Sequence, residues 1–159
     1  MTYKYIYKTP EKLSNMIMNS DGEYLTGLWF EGSRNSIMRR CKWCNLNNPK
    51  YIEYHDKEWC KPNFEDKYLF EMLILESFQA GLSWEYVLNK RENFRKAFDN
   101  FDIDKICNYT EDKIEELLQN KKIIRNKLKI NATINNSKIF KKIQNEYGTF
   151  HNYLKTFTN

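Results

Sequence analysis

The chain has 159 residues and a net charge of +5, the size of one domain with a small appendage. It is long enough to bury about two thirds of its unfolded surface without disulfide staples, and its positive balance permits a polyanionic partner without requiring one. No apolar run reaches the length of a membrane span and no signal peptide opens the chain, so a cytosolic protein without a membrane partner is expected, its four cysteines reduced, metal-bound or in the core.

Residues 3–7 alternate, with Tyr3, Tyr5 and Tyr7 on one face and Lys4 and Ile6 on the other, which is a strand signal. Residues 13–18 form a second apolar run, Ser20-Asp21-Gly22 a turn, and residues 24–30 a third strand. Gly32-Ser33-Arg34-Asn35-Ser36 reads as a linker. The expectation is a small β meander over residues 1–36, too small to be stable by itself, joined to a mainly α domain over residues 37–159. Lys4, Lys8, Lys12 and Arg34 balance Glu11, Asp21, Glu23 and Glu31, so the excess positive charge lies after residue 36. Thr9-Pro10 and the run SDGEYLTGLWFEG over residues 20–32 resemble the opening of methylated-DNA–protein cysteine methyltransferases. The reactive Pro-Cys-His-Arg motif of that family does not occur here, so the resemblance implies a scaffold and no alkyl transfer.

From Arg39 the composition changes. Cys41, Trp43 and Cys44 are followed by Tyr51, Tyr54, His55, Asp56, Trp59 and Cys60. The stretch has no clear period and is expected to be an irregular segment, pinned by side chains, that helps to line a pocket. Cys41, Cys44, His55 and Cys60 have the composition of a Cys3His zinc set, although only the Cys-x-x-Cys half has a common spacing. The alternative is a group of reduced, buried thiols with a hydrogen-bonded His55.

Residues 66–84, DKYLFEMLILESFQAGLSW, organise the rest. Asn63 is the expected cap of a helix with Asp66 in its first turn. Glu76 shares a helical face with Leu69, Met72, Leu73, Gln79 and Ala80. A carboxylate on such a stripe is costly unless paired, hydrated or used. Gly81 stops the helix, Ser83 caps the next, and Trp84 enters it. One tight corner thus joins an acid to an aromatic face; the alternative is a solvated Glu76 and a core Trp84.

Residues 83–98 read as one basic helix with Lys90, Arg91, Arg95 and Lys96. A short helix follows over residues 102–108, then one capped by Thr110 with Ile114, Leu117 and Leu118 inward. Residues 123–143 form a long helix or a bent pair carrying Arg125, Lys127, Lys129, Lys138, Lys141 and Lys142, a solvated face or a phosphate-contacting one. Residues 150–157 make a last short helix.

Arg40-Cys41-x-Trp43, then Tyr51-Ile52-x-Tyr54-His55-Asp56-x-Glu58-Trp59, then Leu69-Phe70-Glu71-Met72-x-x-Leu75-Glu76-x-x-Gln79-Ala80-Gly81-Leu82-Ser83-Trp84 occur in order, followed by Lys90-Arg91-Glu92-Asn93-Phe94 and Ile123-Ile124-Arg125-Asn126-Lys127. This pattern, over about residues 38–158, strongly resembles the DNA-3-methyladenine glycosylase I family. The resemblance implies an all-α fold of the helix-hairpin-helix type, base flipping, hydrolysis of the glycosidic bond of 3-methyladenine in alkylated double-stranded DNA, and a monomer. It implies Glu76 and Tyr54 as catalytic residues. Trp84, Tyr51, Trp43 and Glu76 would bind the base, and Gln79 and Leu82 would contact DNA where related glycosylases fill the gap left by the flipped base.

The family holds a structural zinc through an early Cys and His, which match Cys41 and His55, and through a His and a Cys nearer its C-terminus. Those later ligands, and the helix-hairpin-helix that grips DNA, fall beyond Asn159, so the expected fold is incomplete and Cys44 and Cys60 become candidate replacement ligands. The competing expectations are a non-catalytic remnant that binds methylated base or DNA, and a zinc-stabilised structural module.

Overall fold

A computed structural model describes residues 16–18, 24–26 and 40–158. The expected strand over residues 3–7, the linker over residues 32–36 and most of the meander lie outside the described residues. What is described of it is a pair of three-residue strands, β1 (Met16–Met18) and β2 (Tyr24–Thr26), antiparallel with Ile17 opposite Leu25. The chain divides into two units, Met1–Cys44 and Asn45–Asn159.

The second unit is helical: α1 (Pro49–Lys57), α2 (Asp66–Gln79), α3 (Trp84–Asn89), α4 (Arg91–Ala97), a 3-10 turn (Asp99–Phe101), α5 (Ile103–Cys107), α6 (Glu111–Gln119), α7 (Lys127–Tyr147) and α8 (Phe150–Lys155). Its core forms where α2 and α7 meet the aromatic residues of α4. Phe70, Ile74, Leu75 and Phe78 of α2 are wholly buried, as are Phe94, Phe98 and Ile130. The Phe78 ring meets Phe94 edge-on at 4.7 Å, and Phe70 meets Phe140 at 5.2 Å. Each such side chain contributes about 1.5–3 kcal/mol through burial, and α2 supplies four of them.

Polar bonds set the ends of the helices. The α2 N-terminus is capped by position rather than by Asn63: Glu65 is its N-cap and makes no side-chain capping bond, while Asn63 Oδ1 accepts from Glu65 N at 3.0 Å. Asp66 instead accepts from Gln144 Nε2 at 2.7 Å and from Phe150 N at 3.0 Å, and so ties α2 to α7 and α8. The expected single helix over residues 83–98 is two, α3 and α4, broken at Lys90, where φ is −96° and ψ −2°. Asp99, Asn100 and Phe101 then run through the left-handed region with φ of 48°, 57° and 55°. Asp and Asn tolerate that region; Phe does not. Phe101 is held there as a buried core residue, and the Tyr109 hydroxyl donates to Asp99 Oδ2 at 2.6 Å. No described helix is long and apolar enough to cross a membrane.

Candidate active site

Three short distances along the chain build the site: α1, the end of α2, and the start of α3. The stretch expected to be irregular is in fact helical over Pro49–Lys57. Asn48 caps α1, its Oδ1 accepting from Lys50 N at 3.2 Å, and Pro49 supplies a preset φ at the first helical position. That Asn-Pro start was the available signal. Tyr51 and Tyr54, three residues apart, share the buried face of α1 and pack with Leu88, Met72 and Trp84 in a small cluster of their own.

Both ends of α1 are clamped. At its start, Asn45 and Asn48 each donate to Glu85 Oε1 of α3 at 2.8 Å, and Asn48 also donates to Asn89 Oδ1 at 3.0 Å. At its end, Glu58 accepts from Arg91 Nη1 at 2.7 and 2.9 Å. Arg91 Nε donates to Glu71 Oε1 at 2.7 Å, and Arg95 donates to both Glu71 oxygens at 2.7 and 3.1 Å. Glu71 is 6% and Arg91 7% exposed. Burial pushes the Glu71 carboxyl up, but the bonds from Arg95 and Arg91 outweigh it and hold its pKa below the ordinary carboxylate value. Burial, with Glu58 beside it, raises the Tyr68 phenol. In the sequence Arg91 and Arg95 only make a helix basic, and Glu58 and Glu71 stand in the family pattern without a role; their pairing is tertiary and leaves no periodic mark.

The corner after α2 follows the expectation. Ala80 leaves the helix, Gly81 takes φ 80°, and Leu82 N donates to Gln79 O at 2.6 Å. Ser83 Oγ accepts from Tyr86 N at 3.2 Å and caps α3, whose first residue is Trp84. From α7, Lys129 Nζ donates to Phe78 O at 2.8 Å and to Ala80 O at 2.7 Å. Gln79 is half-buried and Leu82 is 41% exposed at the corner.

The corner brings Trp84 against α1. Its ring meets Tyr54 edge-on at 5.3 Å, and Trp59 lies 6.4 Å from Tyr54 on another side. The indole N–H of Trp84 is buried without a hydrogen-bond partner among the described residues. It lies near enough to the Tyr54 hydroxyl to lower that phenol slightly, though not in hydrogen-bonding geometry. Burial pushes Tyr54 up to about 12, and the Glu76 and Glu58 carboxylates add to the rise. Tyr54 is therefore a hydrogen-bond donor throughout the neutral range. Glu76 is more exposed than its apolar stripe implied, yet partial burial alone raises its carboxyl pKa. The site thus pairs a fixed O–H donor with a carboxylate of raised basicity, beside an indole face.

Trp43 belongs to the first unit and is 39% exposed. His55 Nδ1 lies 2.9 Å from Asp56 Oδ1, Cys41 and Cys60 are exposed, and Cys44 is buried. Among the described residues no group of three or more His, Cys, Asp or Glu side chains could hold a metal ion, so the zinc set of Cys41, Cys44, His55 and Cys60 stays an expectation.

Residues 43–159 match the methyladenine glycosylase family. The chain is 43% identical over 122 residues to DNA-3-methyladenine glycosylase 1 of Escherichia coli (strain K12), a match that covers 77% of this chain and 65% of that protein. A crystal structure of 3-methyladenine DNA glycosylase I superposes with a TM-score of 0.71 at 43% identity, over 75% of this chain and 65% of the other. A variant of 3-methyladenine DNA glycosylase I solved in complex with 3-methyladenine gives a TM-score of 0.68 at 35% identity, over 70% and 60%. The chain spans less than two thirds of the length of these relatives. With the whole of α1–α8 inside the matched residues, the chain belongs to the methyladenine glycosylase family.

Proposed function

We propose that this chain acts as a DNA glycosylase of the 3-methyladenine type, hydrolysing the N-glycosidic bond of 3-methyladenine in alkylated duplex DNA. The observation that carries this reading is the grouping of Tyr54, Glu76 and Trp84 at one corner. An adenine ring offers an acceptor nitrogen beside an amino donor on one edge. The Tyr54 hydroxyl suits the first and the Glu76 carboxylate the second. While joined to the sugar, the methylated ring is cationic. The carboxylate attracts it more strongly at a partly buried site than in water, and the Trp84 face stacks on it for about 1–3 kcal/mol. Tyr51 walls the pocket through its packing beside Tyr54.

The chemistry asks little of the protein beyond selecting and holding the base. As the bond between sugar carbon and ring nitrogen breaks, its electron pair goes to the ring and cancels the positive charge. Water adds to the sugar carbon and loses its proton to solvent. Glu76 stabilises the cationic ring until that moment, and Tyr54 holds the ring's orientation. Gln79 and Leu82, at the exposed corner, are the side chains proposed to enter the gap left by the flipped base. Zinc binding through Cys41 and His55 belongs to the same reading, as do a cytoplasmic location and a monomeric state; metal analysis of the purified chain tests the first.

The deciding experiment is release of free 3-methyladenine from methylated DNA, measured by chromatography. Release above the uncatalysed rate, abolished by Glu76→Gln, is expected. Binding of 3-methyladenine with no release would instead favour the non-catalytic remnant.

A further inference from the structure

We propose that Lys129 is a positioning residue for this site: from α7 it fixes the corner that sets Trp84 against Glu76 and Tyr54. The inference rests on reading those three residues as the base site.

Helix α2 has its left-handed glycine, Gly81, in the usual place one residue after the C-cap, but the C-cap itself, Ala80, has already left the helix with φ −48° and ψ 116°. The last carbonyls of a helix need donors. Here the Lys129 ammonium supplies two, to Phe78 O and Ala80 O. They are the carbonyls on either side of Gln79, so one ammonium holds the two peptide planes through which the chain turns. A cation at this end also complements the helix dipole.

Lys129 is itself held. It lies in the first turn of α7, where Asn126 Oδ1 accepts from its own N–H at 3.1 Å and the Thr133 hydroxyl donates to its carbonyl at 2.9 Å. The next residue, Ile130, is wholly buried. A fixed backbone thus aims a charged group at the corner across 49 and 51 residues of sequence. Packing adds little there: a Cβ on Gly81 would meet no atom within 4 Å, and Leu82 is exposed. Because its ammonium is committed to these carbonyls, Lys129 does not belong with the solvated basic face of α7.

The test uses Lys129→Met, which keeps the side-chain length, and Lys129→Arg, which restores charged donors. In the ligand-free chain, amide exchange at Leu82 should accelerate about tenfold in Lys129→Met while the core amide of Ile74 is unchanged. The Trp84 indole resonance should shift or broaden. Affinity for 3-methyladenine, by calorimetry, should fall about tenfold, with most of it recovered in Lys129→Arg. Parent-like exchange at Leu82 with an unmoved Trp84 resonance would overturn the proposal. So would an equal acceleration at Leu82 and Ile74, which marks loss of overall stability alone. If the parent chain does not bind 3-methyladenine, the functional reading fails while the exchange and resonance data still decide the role of Lys129. Should Lys129→Met not fold, Lys129→Gln, with its neutral donor, carries the same comparison.

Discussion

Arg91→Met is the most informative single change, because methionine keeps length and apolar bulk while removing every donor. Glu58 loses its two bonds from Arg91 but is a quarter exposed and keeps Tyr68 beside it. Glu71 loses one donor and keeps Arg95. Breaking a buried pair costs about 3–5 kcal/mol, and these remaining partners place the loss near the lower end, at about 3 kcal/mol. For a helical unit of this size that corresponds to a fall in Tm of about 12 °C. Arg95→Met should cost less, about 1 kcal/mol, because that side chain is a third exposed and Arg91 still serves Glu71. Urea unfolding followed by far-UV circular dichroism measures both.

The pH dependence supplies a second check on the same network. Glu71 titrates below the ordinary carboxylate value in the folded chain. The unfolded chain therefore takes up the proton first as pH falls. The stabilisation is fully present above the unfolded pKa and is lost as pH drops through the folded one. With one donor removed, that contribution is smaller in Arg91→Met, so the gap between parent and variant should narrow in acid. A loss under about 1 kcal/mol at neutral pH, or a gap that does not narrow, would show that the network is not a desolvated clamp.

Three further outcomes follow from the site and core. Glu76→Gln should weaken binding of a quaternised adenine, with a methyl group standing for the sugar, more than binding of neutral adenine; equal losses by calorimetry would mean that the charge is not used. Because the folded pKa of Glu76 is raised, the folded chain holds that proton longer, and the group's contribution to stability falls as pH rises through its folded pKa; Glu76→Gln should therefore be slightly more stable than the parent at neutral pH, as thermal unfolding would register. Phe78→Ala removes a wholly buried ring packed edge-on against Phe94 and Phe98 and should cost about 3–5 kcal/mol, whereas Gly81→Ala meets no neighbouring atom and should cost only the left-handed backbone, about 1–2 kcal/mol, both read from urea midpoints.

The legible parts of this molecule are those whose causes are local. An apolar run, a glycine and a serine within five residues specify the end of α2, the corner and the start of α3. Residues 49–57 gave no such reading because α1 is only nine residues long: its aromatic face, Tyr51 and Tyr54, repeats once, too briefly to establish a period, and the Asn48-Pro49 start was the clearer local mark. The break at Lys90 has neither proline nor glycine to announce it, and Phe94 and Phe98 continue the period across it. Arg91 and Lys129 look like any other cations of a basic helix. Their partners lie 20 to 51 residues away, so only the fold distinguishes a buried clamp from a solvated charge.

Those long-range bonds bear on why charge is buried here at all. The main core surrounds α2 and α7, but the tyrosine wall of the site rests on a separate cluster of Tyr51, Tyr54 and Leu88 with Met72 and Trp84 at its margin. Three buried residues give little burial energy and poor geometric definition, since apolar contacts resist small slides weakly. The polar bonds at the two ends of α1 resist such slides, because each has a set length and direction. Asn45 and Asn48 fix one end to α3, and Glu58 fixes the other, through Arg91, to α4 and the buried Glu71 of α2. Glu76 and Trp84 stand on α2 and α3, so the same bonds that hold α1 in place set Tyr54 relative to both. Arg91 and Glu58 also act on the Tyr54 phenol in opposite directions, so the clamp fixes the position of the donor while its two charges offset one another in part there.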